Sequence, residues 1–358
     1  MSEEEANVEN QEEQVPPEPK NILKAEQIAA GLSQVSKIHG KLKCPNKEYV
    51  IDGSSYAYVN LNLEEKELQE LGDQLRLYQH LRFLNLSKNQ LQDLSEVTYL
   101  PYLLTLNTSE NQINDITFFR NSPNSLQYLQ LVNLSKNKLQ ELTAIQQPRI
   151  TRLILNENEI ASAAQFQPGQ SLKILELRKN KLTNCAGLSN IGSLEELFLA
   201  ENEISDISGL FGLYSLKRLH LRNNKITSLD DLPNDLTSLE SINIRENQVA
   251  SLNLTGLTRA PRLNKLSMQA NPIVEEKGED FKKEVLIFML GKLRYSTKQI
   301  SLCSLNKIGK DEITADDIKD AENERNERIK VAEEARLEKE RLAAEGGGAE
   351  EQPPAEDE

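Results

Sequence analysis

Leucine recurs along the middle of this chain with a short and regular spacing. Of the 55 leucines, 48 fall within residues 58–293. The segment LEELFLAENEISDISGL, at 194–210, shows the repeated unit L-x-x-L-x-L-x-x-N-x-I/L. Successive copies of its asparagine are separated by 21 to 26 residues, and they stand at Asn89, Asn111, Asn137, Asn158, Asn180, Asn202, Asn224, Asn247 and Asn271. Such self-similarity predicts a protein built from stacked repeats.

Each repeat predicts a short strand followed by a turn. The two leucines of L-x-L-x-x-N alternate on the strand and point into the core. The asparagine stands where the chain turns away, and its amide suits backbone groups that the turn leaves unpaired, so stacked copies should form an asparagine ladder. The chain then returns through I/L-x-x-I/L-x-x-L, which suits short 3₁₀ turns. Leu61, Leu63 and Leu68 form one more unit, with Lys66 in place of the asparagine.

A single repeat buries too little apolar surface to offset the entropy of ordering its own chain, so only stacking stabilises it. We therefore predict an α/β repeat fold, a solenoid with short parallel strands on its concave face, helical caps and a charged C-terminal helix. The solenoid should span 58–273, with about ten units. The step of 26 residues before Asn137 places an insertion near 119–127, which we expect to form a loop.

The two ends of the solenoid should be covered by flanking segments. Residues 1–20 are acidic and should be disordered. Over 21–57 we expect a capping helix, because Ile28, Leu32 and Val35 have helical spacing, with Gly31 as a weak point. The alternative is an unattached amphipathic segment. A C-terminal cap is expected over 274–310, and the residues on its apolar helical face are Phe281, Val285, Phe288 and Met289.

A charged helix should follow the cap over 311–345. The sequence T-x-x-D from Thr314 to Asp317 predicts its first turn. Its apolar positions form no continuous heptad, which favours a single projecting helix over a coiled coil; these positions are Ile318, Ala321, Ile329, Ala332 and Ala335. Residues 346–358 should be a disordered acidic tail.

The formal net charge is −14, but it is concentrated at the ends. Residues 1–20 carry −6 and residues 311–358 carry −11, which leaves +3 for the solenoid and its caps. A near-neutral middle gives no indication of nucleic-acid binding. Neither a membrane-spanning apolar run nor a signal sequence is visible. With Cys44, Cys185 and Cys303 widely spaced, we expect free thiols and a protein that is not secreted.

Candidate chemistry is sparse. The three histidines, His39, His80 and His220, lie far apart in the sequence. There is no phosphate-binding loop, nucleophile elbow, H-E-x-x-H or C-x-x-C motif. We therefore expect no catalytic residue, metal or cofactor, and a protein that is not an enzyme.

The concave face is the candidate binding surface. Residues six, four and two positions before each ladder asparagine should point outward. Apolar residues occupy these positions in the middle units, namely Leu131, Ile154, Ile174 and Phe198. Basic residues occupy them in the later units, namely Arg178, Arg218, His220, Arg222 and Arg245. We expect a contiguous apolar stripe beside a basic cluster, which would dock an acidic partner segment with an apolar anchor. The acidic tail of this chain is another candidate occupant.

The alternative is that the surface neutralises itself. Acidic residues stand beside the same basic positions, and they would pair with the arginines without any partner. These acids are Glu176, Glu196, Glu201 and Glu246.

The 22-residue unit with I-x-x-I-x-x-L resembles the phosphatase-regulator-like subclass of leucine-rich repeats. A narrower resemblance is carried by AYVNLNLEEKELQEL (57–71), YQHLRFLNLSKNQLQDLSEVTYLPYLLTL (78–106), SLKRLHLRNNKITSL (215–229) and NPIVEEKGEDFKKEVLIFML (271–290). These segments look like the ciliary leucine-rich-repeat family of the third radial spoke. The residues from Leu290 to Leu305 depart from that family's cap.

The resemblance implies a non-enzymatic structural scaffold of the motile cilium axoneme, part of the cytoskeleton, with other radial-spoke proteins as partners. The repeat class alone supports an alternative equally well. In that alternative the chain is a soluble regulatory subunit that binds an enzyme, such as a protein phosphatase, through its concave face.

Overall fold

The computed structural model describes residues 20–44, 47–122, 124–293 and 305–346. Apart from Lys20 and Gly346, the two segments expected to be disordered lie outside these residues. Within the described ranges, thirteen strands pair in chain order to form one sheet. The strands are β1 Leu32–Cys44, β2 Lys47–Asn62, β3 Phe83–Asn85, β4 Thr105–Asn107, β5 Leu131–Asn133, β6 Arg152–Ile154, β7 Ile174–Glu176, β8 Glu196–Phe198, β9 Arg218–His220, β10 Ser241–Asn243, β11 Lys265–Ser267, β12 Lys307–Ile308 and β13 Asp311–Glu312.

The strands from β2 to β12 are parallel to their neighbours, and an antiparallel hairpin lies at each end of the sheet. Each of the three-residue strands, β3 to β11, buries its central side chain, as the alternation of leucines predicts. The chain returns between strands through turns and short 3₁₀ helices, including Ser95–Tyr99 and Thr255–Arg259. The predicted α/β repeat solenoid is confirmed.

The nine asparagines join neighbouring repeats. Each is at most 8% exposed. Asn202 is typical: its Nδ2 donates to the carbonyl oxygens of Leu177 (2.9 Å) and Leu199 (3.0 Å), and its Oδ1 accepts from the Leu182 N–H (3.1 Å). Leu177 and Leu182 belong to the preceding repeat, so one amide satisfies buried backbone groups of two repeats. The first unit, which has Lys66 in place of the asparagine, is joined in the same way. Asn89 of the next repeat accepts a hydrogen bond from the Leu68 N–H of the first unit.

The residue before each ladder asparagine has a left-handed backbone conformation. Its φ lies between +53° and +60° in all nine repeats, although none of these residues is glycine. Such a φ costs about 1 kcal/mol for an L-residue, and the ladder hydrogen bonds offset this cost by fixing the turn.

The N-terminal flank differs from the capping helix expected over 21–57. Helix α1, Ala25–Gly31, buries Ile28, but the chain then enters β1. Gly31 explains the change, because a Cβ at this position would lie 2.2 Å from the carbonyl oxygen of Asn62. Leu32 is half-buried on the strand and Val35 is 58% exposed. Most of the expected capping-helix segment, 21–57, is therefore an antiparallel hairpin that extends the sheet.

The insertion before Asn137 includes the expected loop, where Asn124 is exposed, and it also contributes to the core. Its first part is a helical turn, α2 Phe118–Asn121. The Phe119 ring is fully buried. The backbone carbonyl oxygen of Phe119 accepts a 2.9 Å hydrogen bond from Nε2 of the buried Gln147. Pro123 lies outside the described residues.

Two helices cover the last repeat. After α3, Pro272–Lys277, helix α4, Phe281–Leu293, buries Phe281, Val285 and Met289 against the core, with Phe288 half-buried. Residues 294–304, which include Cys303, lie outside the described part of the chain. The β12–β13 hairpin then adds two strands to the sheet beyond β11, a feature that the repeat pattern did not predict.

Helix α5, Ala315–Gly346, is attached at its start and exposed beyond it. The Asp317 carboxylate accepts from the N–H of Thr314 (2.7 Å) and pairs with Lys282 of α4 (2.6 Å). Arg328 pairs with Glu284 of α4 (2.7 Å). Ala321, which lies between Asp317 and Arg328 along α5, is fully buried. Residues 329–342 are exposed. The charged helix thus projects after its first turns, and none of the helices in the described ranges is long and apolar enough to cross a bilayer.

Asp317 should control this attachment. Hydrogen bonds from Lys282 and Thr314 lower the pKa of its carboxyl to about 2. Since the folded-state pKa lies below the unfolded value of about 4, the stabilisation is complete above pH 4 and is lost as the pH falls towards 2. We expect Asp317→Asn to weaken the start of α5 by about 1 kcal/mol, seen as faster amide exchange at 315–325. Asp320→Asn, an exposed change on the same helix, should leave exchange unaltered; equal rates in both variants would contradict this role.

Candidate functional site

The strands present three outward columns of side chains on the concave face. In the register of the sheet, Leu131, Arg152 and Ile174 stand side by side on neighbouring strands. Asn133, Ile154 and Glu176 do the same two residues further along. Residues six positions before the ladder asparagines therefore form one column, and residues four positions before them form a second. The third column, two positions before, lies just past the strands.

The four apolar residues of the expected stripe lie on four successive strands and alternate between the first and second columns. Leu131 and Ile174 stand in the first column, whereas Ile154 and Phe198 stand in the second. All four are half-buried, and charged residues alternate with them in each column. Between them, Arg152 pairs with Glu176 at 2.6 Å. The expected stripe is therefore a diagonal row of half-buried apolar side chains, and within each column charged residues stand between its members.

Phe198 is covered by side chains of this chain. The imidazole of His220 stacks on its ring with the centroids 4.6 Å apart, and the guanidinium of Arg178 lies 4.3 Å from the ring centroid. Burial lowers the pKa of His220, and the charge of Arg178 lowers it further. Both effects favour the neutral form of the His220 imidazole, which lies against the Phe198 ring.

Most of the arginines on β6 to β9 are neutralised within the chain. Arg218 pairs with Glu196, and Arg222 pairs with Glu246 at 2.6 Å. Burial would raise the pKa of Glu176, but hydrogen bonds from Asn156 and Arg152 outweigh this effect and lower it. Three of the four acids in the self-neutralising alternative, Glu176, Glu196 and Glu246, therefore form ion pairs with arginines of this chain. That alternative applies in part.

Three cations in the repeats of β10 and β11 and in the β12–β13 hairpin are different. Among the described residues, no carboxylate oxygen lies within ion-pair distance of Arg245, Lys265 or Lys310. These three side chains line one open cavity of about 750 Å³, together with His220 and Asp311. Lys265 and Lys310 were not among the residues selected from the sequence. Lys265 stands in the first outward column, so the same column rule would have found it.

The N-terminal strands carry an asparagine column that was also missed. Asn62, Asn85, Asn107 and Asn133 occupy the second outward column of β2 to β5. Asn85 Nδ2 donates to Asn62 Oδ1, and Asn107 Nδ2 donates to Asn85 Oδ1, both at 2.9 Å. This column of the concave face is polar and internally hydrogen-bonded, and reading the second column across the repeats would have revealed it.

One lateral edge of the solenoid carries charges of alternating sign. The residue after the ladder asparagine is, in five successive repeats, Lys138, Glu159, Lys181, Glu203 and Lys225. Lys181 pairs with Glu159 at 2.8 Å, and Lys225 pairs with Glu203 at 2.6 Å. The charges on this edge are neutralised from repeat to repeat.

The residues considered for chemistry lie apart. His80 stacks on Tyr102 of the next repeat, with centroids 5.9 Å apart, and burial lowers its pKa. Cys185 is buried, which raises the pKa of its thiol to about 12. His39 belongs to β1. The described residues include no group of three His, Cys, Asp or Glu side chains that would hold a metal ion.

Comparison with known proteins identifies the repeat. A family model described as "Leucine Rich repeats (2 copies)" matches residues 192–234 and 214–259. The chain is 32% identical to leucine-rich repeat-containing protein 23 of Bos taurus over 66% of this chain and 67% of the relative. It is 34% identical to the Homo sapiens protein of the same name, over 66% of this chain and 68% of the relative.

Solved structures share the architecture. In the structure titled "Crystal structure of LRIM1/APL1C complex", one chain is similar with a TM-score of 0.51 and 24% identity. The match covers 60% of this chain and 39% of that one. This likeness concerns the fold alone.

Proposed function

This chain belongs to the leucine-rich repeat family, and from that premise we propose that it is a non-enzymatic interaction scaffold of the motile cilium axoneme. We place it within or beside a radial spoke. The location is supported by the segments at 57–71, 78–106, 215–229 and 271–290, which resemble the ciliary radial-spoke family.

The observation that carries the scaffold role is the distribution of charge on the concave face. Through β9, most of the arginines are paired with acids of neighbouring repeats. In the later repeats, Arg245 and Lys265 form no ion pair with any described residue. Lys265 lies on β11 and Arg245 lies just past β10, in a sheet whose register is held by the buried ladder. Unpaired cations on a rigid concave surface favour docking of an acidic partner and steer its approach.

A second contact is available on α5. Its first turns are fixed to α4 by Lys282–Asp317 and Arg328–Glu284, and its exposed part extends away from that contact. A 32-residue helix is about 48 Å long. We propose that the concave face and the projecting helix hold two different components of the assembly at a fixed separation.

The proposal is tested by reversing the unpaired charges. In ciliated cells that lack the native protein, a tagged chain with Arg245→Glu and Lys265→Glu should be made at normal levels yet be lost from salt-washed axonemes, with impaired beating. The matched control is Lys138→Glu with Arg262→Glu, which reverses two exposed charges outside the cavity and should be retained.

The outcomes separate the two functions. Retention of the Arg245→Glu, Lys265→Glu chain would exclude the concave face as the axonemal attachment. If the wild-type chain is found in the cytosol and the charge reversal alters a soluble enzyme such as a protein phosphatase, the regulatory-subunit alternative would replace the scaffold proposal.

A further inference from the structure

The C-terminal end of the concave face is closed, unlike a simple stack of repeats. The β12–β13 hairpin continues the sheet, and its turn forms one wall of the 750 Å³ cavity. Gly309 has a φ of +65° and its N–H donates to the carbonyl oxygen of Leu266 at 2.7 Å. A Cβ there would lie 1.7 Å from Nε2 of Gln269. The turn is therefore held tightly against β11, with the adjacent Lys310 among the lining residues.

The lining of this cavity is matched to negative charge. Arg245 reaches it from just past the end of β10, Lys265 from the first residue of β11, and Lys310 from the hairpin turn. Among the described residues that line it, Asp311 is the one carboxylate. The hydroxyl groups of Ser241 and Ser267 add neutral donors. Charged donors from two sides of one cavity form stronger hydrogen bonds to carboxylates than neutral donors do.

We infer that this cavity binds the carboxylate side chains of an acidic peptide segment that belongs to another protein. The inference rests on the proposed scaffold function and specifies the partner chemistry of its concave face, but it does not depend on the cilium. An extended segment suits the site, because its alternate side chains point to the same side about 7 Å apart. They can therefore meet cations on both the sheet and the hairpin.

The acidic tail of this chain is a poor occupant. Residues 347–358 follow the end of α5, which lies about 48 Å from its start. Fully extended, these twelve residues span about 40 Å. While α5 is intact, these residues cannot reach back to the start of the helix. The start of α5 is close in sequence to Lys310 and Asp311, which line the cavity. A segment supplied by a different molecule meets no such limit.

The test uses the full chain and a fluorescently labelled peptide of alternating glutamate and aspartate, with a glutamine–asparagine peptide of equal length for comparison. We expect the acidic peptide alone to bind, with affinity that falls as salt is added. Arg245→Ala with Lys265→Ala should weaken binding about tenfold, and Lys310→Ala about threefold. The control, Lys138→Ala with Arg262→Ala, removes two exposed charges elsewhere and should change binding less than twofold.

Three results would overturn the inference. Equal weakening in the cavity and control variants would mean general charge attraction, and equal binding of the amide peptide would mean that carboxylates are not recognised. Lys310 lies on an exposed turn, so the Lys310→Ala variant tests the cavity without disturbing the solenoid. Tighter binding after changing Glu350, Glu351, Glu356, Asp357 and Glu358 to amides would identify the tail of this chain as the occupant. If changes at Arg245 and Lys265 abolish peptide binding but leave axonemal retention normal, this inference stands and the concave face is excluded as the axonemal attachment.

Discussion

Gly187→Ala is expected to lower the free energy of unfolding by about 3 kcal/mol, a large effect for one added methyl group. Gly187 has a φ of +84°, and an added Cβ would lie 1.8 Å from the carbonyl oxygen of Ala163 and 2.9 Å from the Cα of Ala164. All of these atoms belong to the backbone of the preceding repeat, so no side-chain rotation relieves the overlap. The repeats would have to separate locally, or residue 187 would have to leave its turn.

The control for this change is Gly192→Ala in the same repeat. The nearest atom to an added Cβ is Cδ2 of Tyr214, at 3.8 Å, which is ordinary contact. We expect a change within about 0.5 kcal/mol. Urea unfolding followed by circular dichroism measures both variants. Coincident curves for Gly187→Ala and the wild type would show that the two repeats are not packed as closely as described.

Asn202→Leu is expected to cost about 3 kcal/mol as well, for an electrostatic reason. The leucine removes donors to the carbonyl oxygens of Leu177 and Leu199 and an acceptor for the Leu182 N–H. These groups are buried, and water does not replace the lost partners. Since the amide links two repeats, its loss should also weaken their coupling and broaden the unfolding transition.

Asn121→Leu is the matched substitution outside the ladder. Asn121 is exposed at the end of α2, so the same chemical change should alter stability by less than about 0.5 kcal/mol. Thermal and urea unfolding of the two variants should differ clearly. A small effect at both positions would mean that the buried hydrogen bonds contribute little to the array.

The solenoid was predictable because its information is periodic. Each leucine and asparagine is repeated at the same place in the unit, so the strand, the turn and the direction of each side chain follow from one rule. The N-terminal hairpin is not periodic. The spacing of Ile28, Leu32 and Val35 fits a helix, but the close approach of Gly31 to Asn62 ends it, and that contact joins residues far apart in the chain.

The concave face was predicted only in part. The rule for outward positions identified Arg222 and Arg245, but it did not show which cations would find acids in the next repeat. Arg222 has a neighbour in Glu246, whereas Arg245 has none among the described residues. The cavity itself depends on Lys310, whose position is set by a hairpin that follows an interruption of the repeat pattern.

The alternating charges along the lateral edge have a consequence for how the array changes its length. Removing one repeat between Lys138 and Lys225 would bring two like charges together, for example Lys138 beside Lys181 if the repeat of Glu159 were lost. Removing two adjacent repeats would restore opposite signs at the junction. Because like charges directly opposite each other are unfavourable, this part of the solenoid favours gain or loss of repeats in pairs and disfavours stacking that slips by a single unit.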